Sequence, residues 1–278
     1  MTNFAGKRVL ALESRRAAEI AALIATYGGV PVSAPSMREI PLESNTEAIR
    51  FTSELLRGGF DMVIFLTGVG TRALTAVVET VAPSTEFIAA LGKVRIAARG
   101  PKPAAALRDM GVAIHITAPE PNTWRELLAA VDQDFPAHSL RGLRVAVQEY
   151  GTASVELLAA LRDRGAIVTA VPIYRWALPE NVEPLRSAIR SLASGEISVV
   201  LFTTSIQIAH LFQVADEMHM TEPLQEGLRK CVIASIGPTT SEELQERGLP
   251  VDLQASHPKM GILVKEAGEG CVELLRRK

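Results

Sequence analysis

With 278 residues and 29.9 kDa, the chain has room for two domains of ordinary size or one large one. Its residues are 47% hydrophobic and 22% charged, which excludes a disordered, collagen-like or coiled-coil protein. Lys+Arg 29 against Asp+Glu 31 leaves a net charge of −2, so no overall field draws nucleic acid, and no such partner is expected.

In chain order, residues 8–12 form a near-continuous apolar run, the pattern of a strand buried on both faces of a parallel sheet. Residues 17–27 are amphipathic and predict a helix that stops at Gly28. Residues 31–41 carry Pro31, Pro35 and Pro41 and predict an extended connector, because proline suits edge strands and linkers better than central strands. Residues 62–66 and 94–98 predict two more buried strands, leading into Thr67-Gly68-Val69-Gly70-Thr71 and Arg99-Gly100-Pro101-Lys102-Pro103. A strand at 144–148 and a helix at 155–164 that stops at Gly165 come next. Residues 171–179, with Pro172 and Pro179, predict a second connector. Strands at 199–203 and 232–236 lead into Thr203-Thr204-Ser205 and Gly237-Pro238-Thr239-Thr240. The helix at 240–247 takes Thr239 or Thr240 as N-cap ahead of Glu242 and Glu243, and stops at Gly248. Such alternation predicts an α/β protein with doubly wound parallel sheets.

The chain also repeats itself. Residues 6–13 (GKRVLALE) line up with 142–149 (GLRVAVQE), 136 positions on. Phe65-Leu66-Thr67 matches Phe202-Thr203-Thr204, and Ala97-Ala98-Arg99-Gly100-Pro101 matches Ala234-Ser235-Ile236-Gly237-Pro238, both 137 positions on. Chance matches would not hold so constant an offset, so the sequence is read as a duplication. Two lobes joined by two connectors imply a cleft, and domain interfaces are favoured places for ligands.

No run approaches the ~18 consecutive apolar residues of a membrane span. The first eight residues lack the apolar core of a signal peptide, and the two cysteines, Cys231 and Cys271, form no CxxC pattern. A cytoplasmic protein without a disulfide framework or a membrane partner is expected. Thr67-Gly68-Val69-Gly70 is only half a dinucleotide fingerprint, and no GxxxxGK[ST] occurs. The histidines His115, His138, His210, His219 and His257 show no metal-ligand spacing, and His210 reads as a helix-surface imidazole, with a place near a cleft loop as the alternative. Ser154 and Ser205 lack the GxSxG elbow of a hydrolase.

Ligands of open α/β sheets collect at the carboxyl ends of the strands. The loops holding Thr67, Gly68 and Gly70, then Arg99, Gly100 and Lys102, then Thr204 and Ser205, then Gly237, Thr239 and Thr240 all lie there. Each opens a helix whose free N–H groups suit a carboxylate or phosphate, though glycine and threonine also serve plain turns and caps. Arg15 and Arg16 follow the first strand, where they either pair bidentately with carboxylates or form a solvated helix start. On pattern alone Tyr174, beside Arg175 and Trp176, is connector packing.

Taken together these loops resemble the uroporphyrinogen-III synthase family over nearly the whole chain. The resemblance is carried by Ile236-Gly237-Pro238-Thr239-Thr240 with Leu244, Gly248-Leu249-Pro250-Val251, Phe202-Thr203-Thr204-Ser205 and Val171-Pro172-Ile173-Tyr174-Arg175. Thr67-Gly68-Val69-Gly70 and Arg99-Gly100-Pro101-Lys102 look like the loops of a bacterial branch. The resemblance implies two flavodoxin-like doubly wound lobes joined by a two-stranded linker. One lobe is then discontinuous, residues 1–39 plus 176–278, and the other is 42–173, with connectors near 35–42 and 171–179; the repeat alone would cut the chain near 140.

It also implies a lyase of tetrapyrrole (haem) biosynthesis that acts on hydroxymethylbilane, a linear tetrapyrrole with eight carboxylates, as a monomer without cofactor or metal. Loss of the terminal hydroxyl as water gives an azafulvene on ring A, ring D attacks through its substituted carbon, and a spiro intermediate recloses with ring D inverted. In family terms Tyr174 matches the connector tyrosine that helps the hydroxyl leave. Thr239 and Thr240 match a threonine pair, and Ser205 lies in the matching hydroxyl loop. Lys102-Pro103 departs from the threonine many members carry. That departure keeps a rival reading open, a non-catalytic sensor of a tetrapyrrole or another polyanion. A nucleotide-binding α/β enzyme is a third.

Overall fold

The computed structural model describes residues 3–41, 45–135, 140–149, 151 and 154–278. In chain order its elements are β1 (Arg8–Ala11), α1 (Ala17–Thr26), β2 (Val30–Ser33), β3 (Arg38–Pro41), α2 (Thr46–Leu56), β4 (Met62–Phe65), α3 (Gly68–Val78) and α4 (Ser84–Leu91). Then come β5 (Arg95–Ala98), α5 (Pro101–Asp109), β6 (Ile116–Thr117), α6 (Trp124–Asp134), β7 (Arg144–Gln148), α7 (Val155–Asp163), β8 (Ile167–Val171) and β9 (Tyr174–Ala177). The chain ends with α8 (Glu183–Ala193), β10 (Val199–Phe202), α9 (Ser205–Glu217), α10 (Thr221–Lys230), β11 (Val232–Ser235), α11 (Pro238–Glu246), β12 (Leu253–Gln254) and α12 (Met260–Leu275).

These elements form two units, residues 1–38 with 177–278, and residues 39–176. The first unit holds a five-stranded parallel sheet in the order β12-β11-β10-β1-β2, with Val9 opposite Val199 and Val199 opposite Val232. Its strands are apolar throughout because both faces are covered. Leu10, Val200, Phe202 and Ile233 face Leu185, Ile189 and Leu211 of α8 and α9. Val9, Val199, Leu201 and Val232 face Ile20, Ile24, Leu263 and Val264 of α1 and α12. Alternate residues of one strand thus feed two helical layers, as a two-residue strand period requires.

The second unit repeats the design with the order β6-β5-β4-β7-β8, again parallel, with Val63 opposite Ile96 and Ala146. Met62, Ile64, Val145 and Val147 pack on Leu127, Val131, Leu157 and Leu161 of α6 and α7. The internal repeat maps β1, β2, β10, β11 and β12 onto β7, β8, β4, β5 and β6, so both sheets have the same spatial order. Each unit therefore joins the front of one copy to the back of the other. β3 and β9 form a separate two-stranded ladder, and the division between the units falls within those two strands.

Local signals act as their chemistry dictates. Gly28, Gly165 and Gly248 adopt φ of +69°, +86° and +68° just past α1, α7 and α11, the left-handed conformation of a helix C-cap. Two expectations need correction. The proline-rich stretch 31–41 is not connector throughout, because Val30–Ser33 forms β2 at the edge of the first sheet. An edge strand has a ladder partner on one side only, which tolerates Pro31. The helix expected at 240–247 instead starts at Pro238, with Gly237 as N-cap and no side-chain cap. Pro238 sits at N1, where its fixed φ is already helical and its missing N–H costs no bond. Thr239 and Thr240 lie in the first turn and do not cap it.

Candidate functional site

In the second unit the carboxyl end of the sheet is organised around Thr67. Its Oγ1 accepts a hydrogen bond from the Gly70 N–H at 3.0 Å, capping α3. Gly68 is required by close approach, since a Cβ there would lie 2.6 Å from the Lys102 carbonyl oxygen. A Cβ on Gly70 would run into the side chain of Gln148, which is buried at the end of β7 and accepts a hydrogen bond from the Thr67 N–H at 3.4 Å. The paired glycines thus let the start of α3 meet the start of α5 and the end of β7. That close packing requires glycine at both positions.

Gly100 caps α5, followed by Pro101 at N1. With proline at 101 and 103, Lys102 is the residue of that first stretch that still carries a backbone N–H, and its side chain is exposed. Arg99 is half-buried just ahead of the cap.

The first unit presents the equivalent loops. Thr204 is the N-cap of α9 without a side-chain cap bond, and Ser205 is the first helical residue. The preceding Thr203 is fully engaged: its N–H donates to Gln207 Oε1 at 2.8 Å, and its hydroxyl donates to Glu13 Oε2 at 2.8 Å. At α11 Gly237 takes the same extended backbone as Gly100, both with φ of 172°. Here Thr239 is exposed and Thr240 is buried; both carry a hydroxyl, and the Thr240 N–H donates to the Gly237 carbonyl at 3.1 Å. Arg16 does not offer a free fork, since its guanidinium is held by Glu19, with Nε 2.7 Å from Oε2. Arg15 is exposed at the same turn.

Tyr174 is 5% exposed on β9 and stacks edge-on against Trp176, ring centroids 5.4 Å apart. Gly151, with φ +61°, lies under the Trp176 ring, which would collide with any Cβ there. The Tyr174 hydroxyl is shut off from solvent beside a cavity of about 550 Å³ within the second unit, walled by Val69, Ala73 and Val77 of α3 and shared with Glu39.

Several of these residues escape a reading of the sequence. Glu13 and Glu149 are twins in the repeat, each one residue or two past the first strand of its copy. Glu149 is 6% exposed, accepts a hydrogen bond from the Ser154 N–H at 3.1 Å, and is pushed above the usual carboxylate range by burial. The constant offset carries that signal. Glu39 stands in a connector with nothing to mark it.

His210 corrects another expectation. It is 6% exposed, not a surface imidazole, because α9 buries that face and Nδ1 lies 2.6 Å from the Ser36 carbonyl. Burial lowers its pKa, so it serves as a neutral structural donor. His138 lies outside the described residues. Cys231 and Cys271 are buried free thiols, with Cys231 pushed up to about 12. Among the described residues no group of three or more His, Cys, Asp or Glu side chains could hold a metal ion, and no helix is long and apolar enough to cross a membrane.

The same layout recurs in known proteins. Residues 18–265 match the family described as uroporphyrinogen-III synthase HemD. The chain is 30% identical over 265 residues to YjjA, an uncharacterized protein of Bacillus subtilis (strain 168), covering 94% of each. It is also 30% identical over 240 residues to a putative uroporphyrinogen-III synthase of Methanothermobacter thermautotrophicus, covering 84% of this chain and 87% of that one. A crystal structure of a mutant uroporphyrinogen III synthase from the extremely thermophilic bacterium Thermus thermophilus superposes with a TM-score of 0.75 at 25% identity, over 98% of this chain and 100% of that one. With the matched region running through both sheets and the ladder that joins them, the chain belongs to the uroporphyrinogen-III synthase family.

Proposed function

We propose that the chain is a uroporphyrinogen-III synthase, a lyase that cyclises hydroxymethylbilane with loss of water and inversion of ring D. The observation that carries this reading is the family match over residues 18–265, which includes a connector tyrosine buried at the rim of a cavity. In this reading the Tyr174 hydroxyl protonates the oxygen that leaves ring A. A phenol suits the task, being neutral at physiological pH and able to donate to an oxygen that gains charge as its bond to carbon breaks.

The substrate's carboxylates are met at helix starts: Thr67, Gly68 and Gly70 on α3, Arg99, Gly100 and the Lys102 amide and ammonium on α5, Thr204 and Ser205 on α9, and Gly237, Thr239 and Thr240 on α11. Backbone N–H groups there bind anions without a large basic patch, which suits a net charge of −2. Arg15 is assigned the same role; Arg16 takes part only by exchanging Glu19 for a substrate carboxylate. The enzyme acts in the cytoplasm as a monomer, with no cofactor or metal. Its main task is geometric, since the substrate also closes unaided but to the wrong isomer, so holding the reacting carbons in order supplies the specificity.

The test is an isomer-resolved product analysis with purified protein and hydroxymethylbilane. Enrichment of the ring-D-inverted isomer over buffer supports the reading. Tight binding of the linear tetrapyrrole with the isomer mixture of buffer makes the chain a non-catalytic binder instead.

A further inference from the structure

One copy of the internal repeat fills a space that the other leaves open. Helices α9 and α3 correspond at the 137-position offset, with Thr204 and Thr67 as matching N-caps. In that register His210 of α9 matches Ala73 of α3. The His210 imidazole is 6% exposed, and its Nδ1–H donates to the Ser36 carbonyl at 2.6 Å. Ser36 in turn matches Pro172 at the 136-position offset, one residue ahead of Ile173. The second unit thus has a methyl group where the first has a ring, and a cavity of about 550 Å³ is bordered there by both Ala73 and Ile173. The next helix pair repeats the contrast. Val182, the N-cap of α8, packs against the first unit's core, whereas its match is Asn45, the N-cap of α2, which lines the cavity. Asn45 makes no side-chain capping bond, and its Oδ1 is buried without a donor among the described residues.

We propose that this cavity is a binding site for a small, uncharged, planar nitrogen heterocycle that donates its ring N–H to Asn45 Oδ1. Three features select that chemistry. Ile49, Val69 and Val77 make the walls apolar, which suits flat hydrocarbon faces and opposes burial of a charge. Asn45 Oδ1 calls for a donor, because a buried acceptor left unmet costs free energy. The first unit itself shows what fills this place in the fold, an imidazole that gives one N–H to an oxygen. The second unit's space exceeds one such ring and falls in the size range of small-molecule sites, so two fused rings fit. Glu39 and Tyr174 also border it; neither is without a partner, and the Glu39 carboxylate turns anions away. This site goes beyond the cyclisation proposed above and does not rest on it.

The experiment titrates indole and 1-methylindole into wild type and Ala73→His by isothermal calorimetry, with melting temperatures measured alongside. Ala73→His gives the second unit the ring that fills the first. Wild type should bind indole with a Kd on the order of 10⁻⁴ M. Folded Ala73→His should bind it at least about ten-fold more weakly, because the imidazole occupies the space. 1-Methylindole keeps both rings but has no N–H, and should bind wild type about ten-fold more weakly than indole does. No binding of indole by wild type at millimolar concentration overturns the proposal, as does unchanged binding in folded Ala73→His. Equal affinity of the two probes for wild type overturns it as well, and that comparison still decides the matter if Ala73→His fails to fold. None of these readouts uses turnover of hydroxymethylbilane, so failure of the cyclisation leaves them standing.

Discussion

The loops at Gly100 and Gly237 share a backbone and differ in what they offer a ligand. Both caps are extended glycines with φ of 172°, each followed by a proline at the first helical position. In the first unit the next residues are Thr239 and Thr240, which bring two hydroxyls and the Thr239 N–H, the Thr240 N–H being taken by the Gly237 carbonyl at 3.1 Å. In the second they are Lys102 and Pro103, with one N–H and one ammonium. The extended glycine–proline turn is therefore present in both units, and the residues that follow it differ. The second unit carries instead Tyr174 and the cavity shared with Glu39. On the function proposed above, the difference divides the labour, with the hydroxyl donors for carboxylates in the first unit and the phenol that breaks the bond in the second.

The largest effect should come from the second unit's reacting group. Tyr174→Phe is expected to lower kcat about 10²-fold. The ring and its stack on Trp176 stay, so the melting temperature should hold. A wild-type rate would remove the phenol from the mechanism and leave positioning alone.

Exchanging the donor sets probes anchoring directly. Thr240→Pro copies the residue at position 103 into the first unit, removing the hydroxyl together with the N–H that closes the turn onto the Gly237 carbonyl, and should raise KM about ten-fold, the worth of one charge-assisted hydrogen bond from the hydroxyl. Pro103→Thr does the reverse and should lower KM. Equal and opposite shifts would show the two turns to be interchangeable; no shift in either would break the comparison. Circular dichroism melts are needed for both, because Thr240 is 4% exposed and also packs.

The two caps should also differ in tolerance. A Cβ at Gly100 would lie 2.8 Å from Asn122 Oδ1, whereas at Gly237 the nearest atom is 3.9 Å away on Pro258. Gly100→Ala should cost about 1–3 kcal/mol by overpacking, and Gly237→Ala close to nothing, read from denaturant midpoints.

The smallest effect concerns Glu149. Its pKa is raised in the folded chain by burial, so the native state holds this proton more tightly than the unfolded chain does. Its contribution to stability is greatest at low pH and falls as pH rises from the unfolded pKa through the folded one. Glu149→Gln removes that decline, so the variant should melt higher than wild type at neutral pH and lose the advantage in acid. Parallel pH–melting curves would refute the burial argument.

How much of this can be read in the sequence follows from which forces are local. The strands are legible because burial on both faces leaves runs such as Met62–Phe65 without a polar residue. The shared order of the two sheets follows the offset of the repeat. A hydroxyl cap is the ordinary expectation at the start of α11, and it fails there because glycine and proline set the turn. β2 reads as linker because its partner, β1, covers only one side. At the candidate site the hydroxyl and glycine loops are visible as punctuation after strands. Glu39 and Asn45 are not, since only the folding of α2 and α3 beside the ladder brings them to Tyr174. The burial of His210 is equally hidden, being set by its contact with Ser36, 174 positions away.

The central claim is that this chain governs how a linear tetrapyrrole closes. Its most direct test is chromatographic separation of the porphyrin isomers formed from hydroxymethylbilane by wild type, Tyr174→Phe and buffer. The account predicts the ring-D-inverted isomer in large excess with wild type, at a much slower rate with Tyr174→Phe. The same isomer ratio in all three would contradict it.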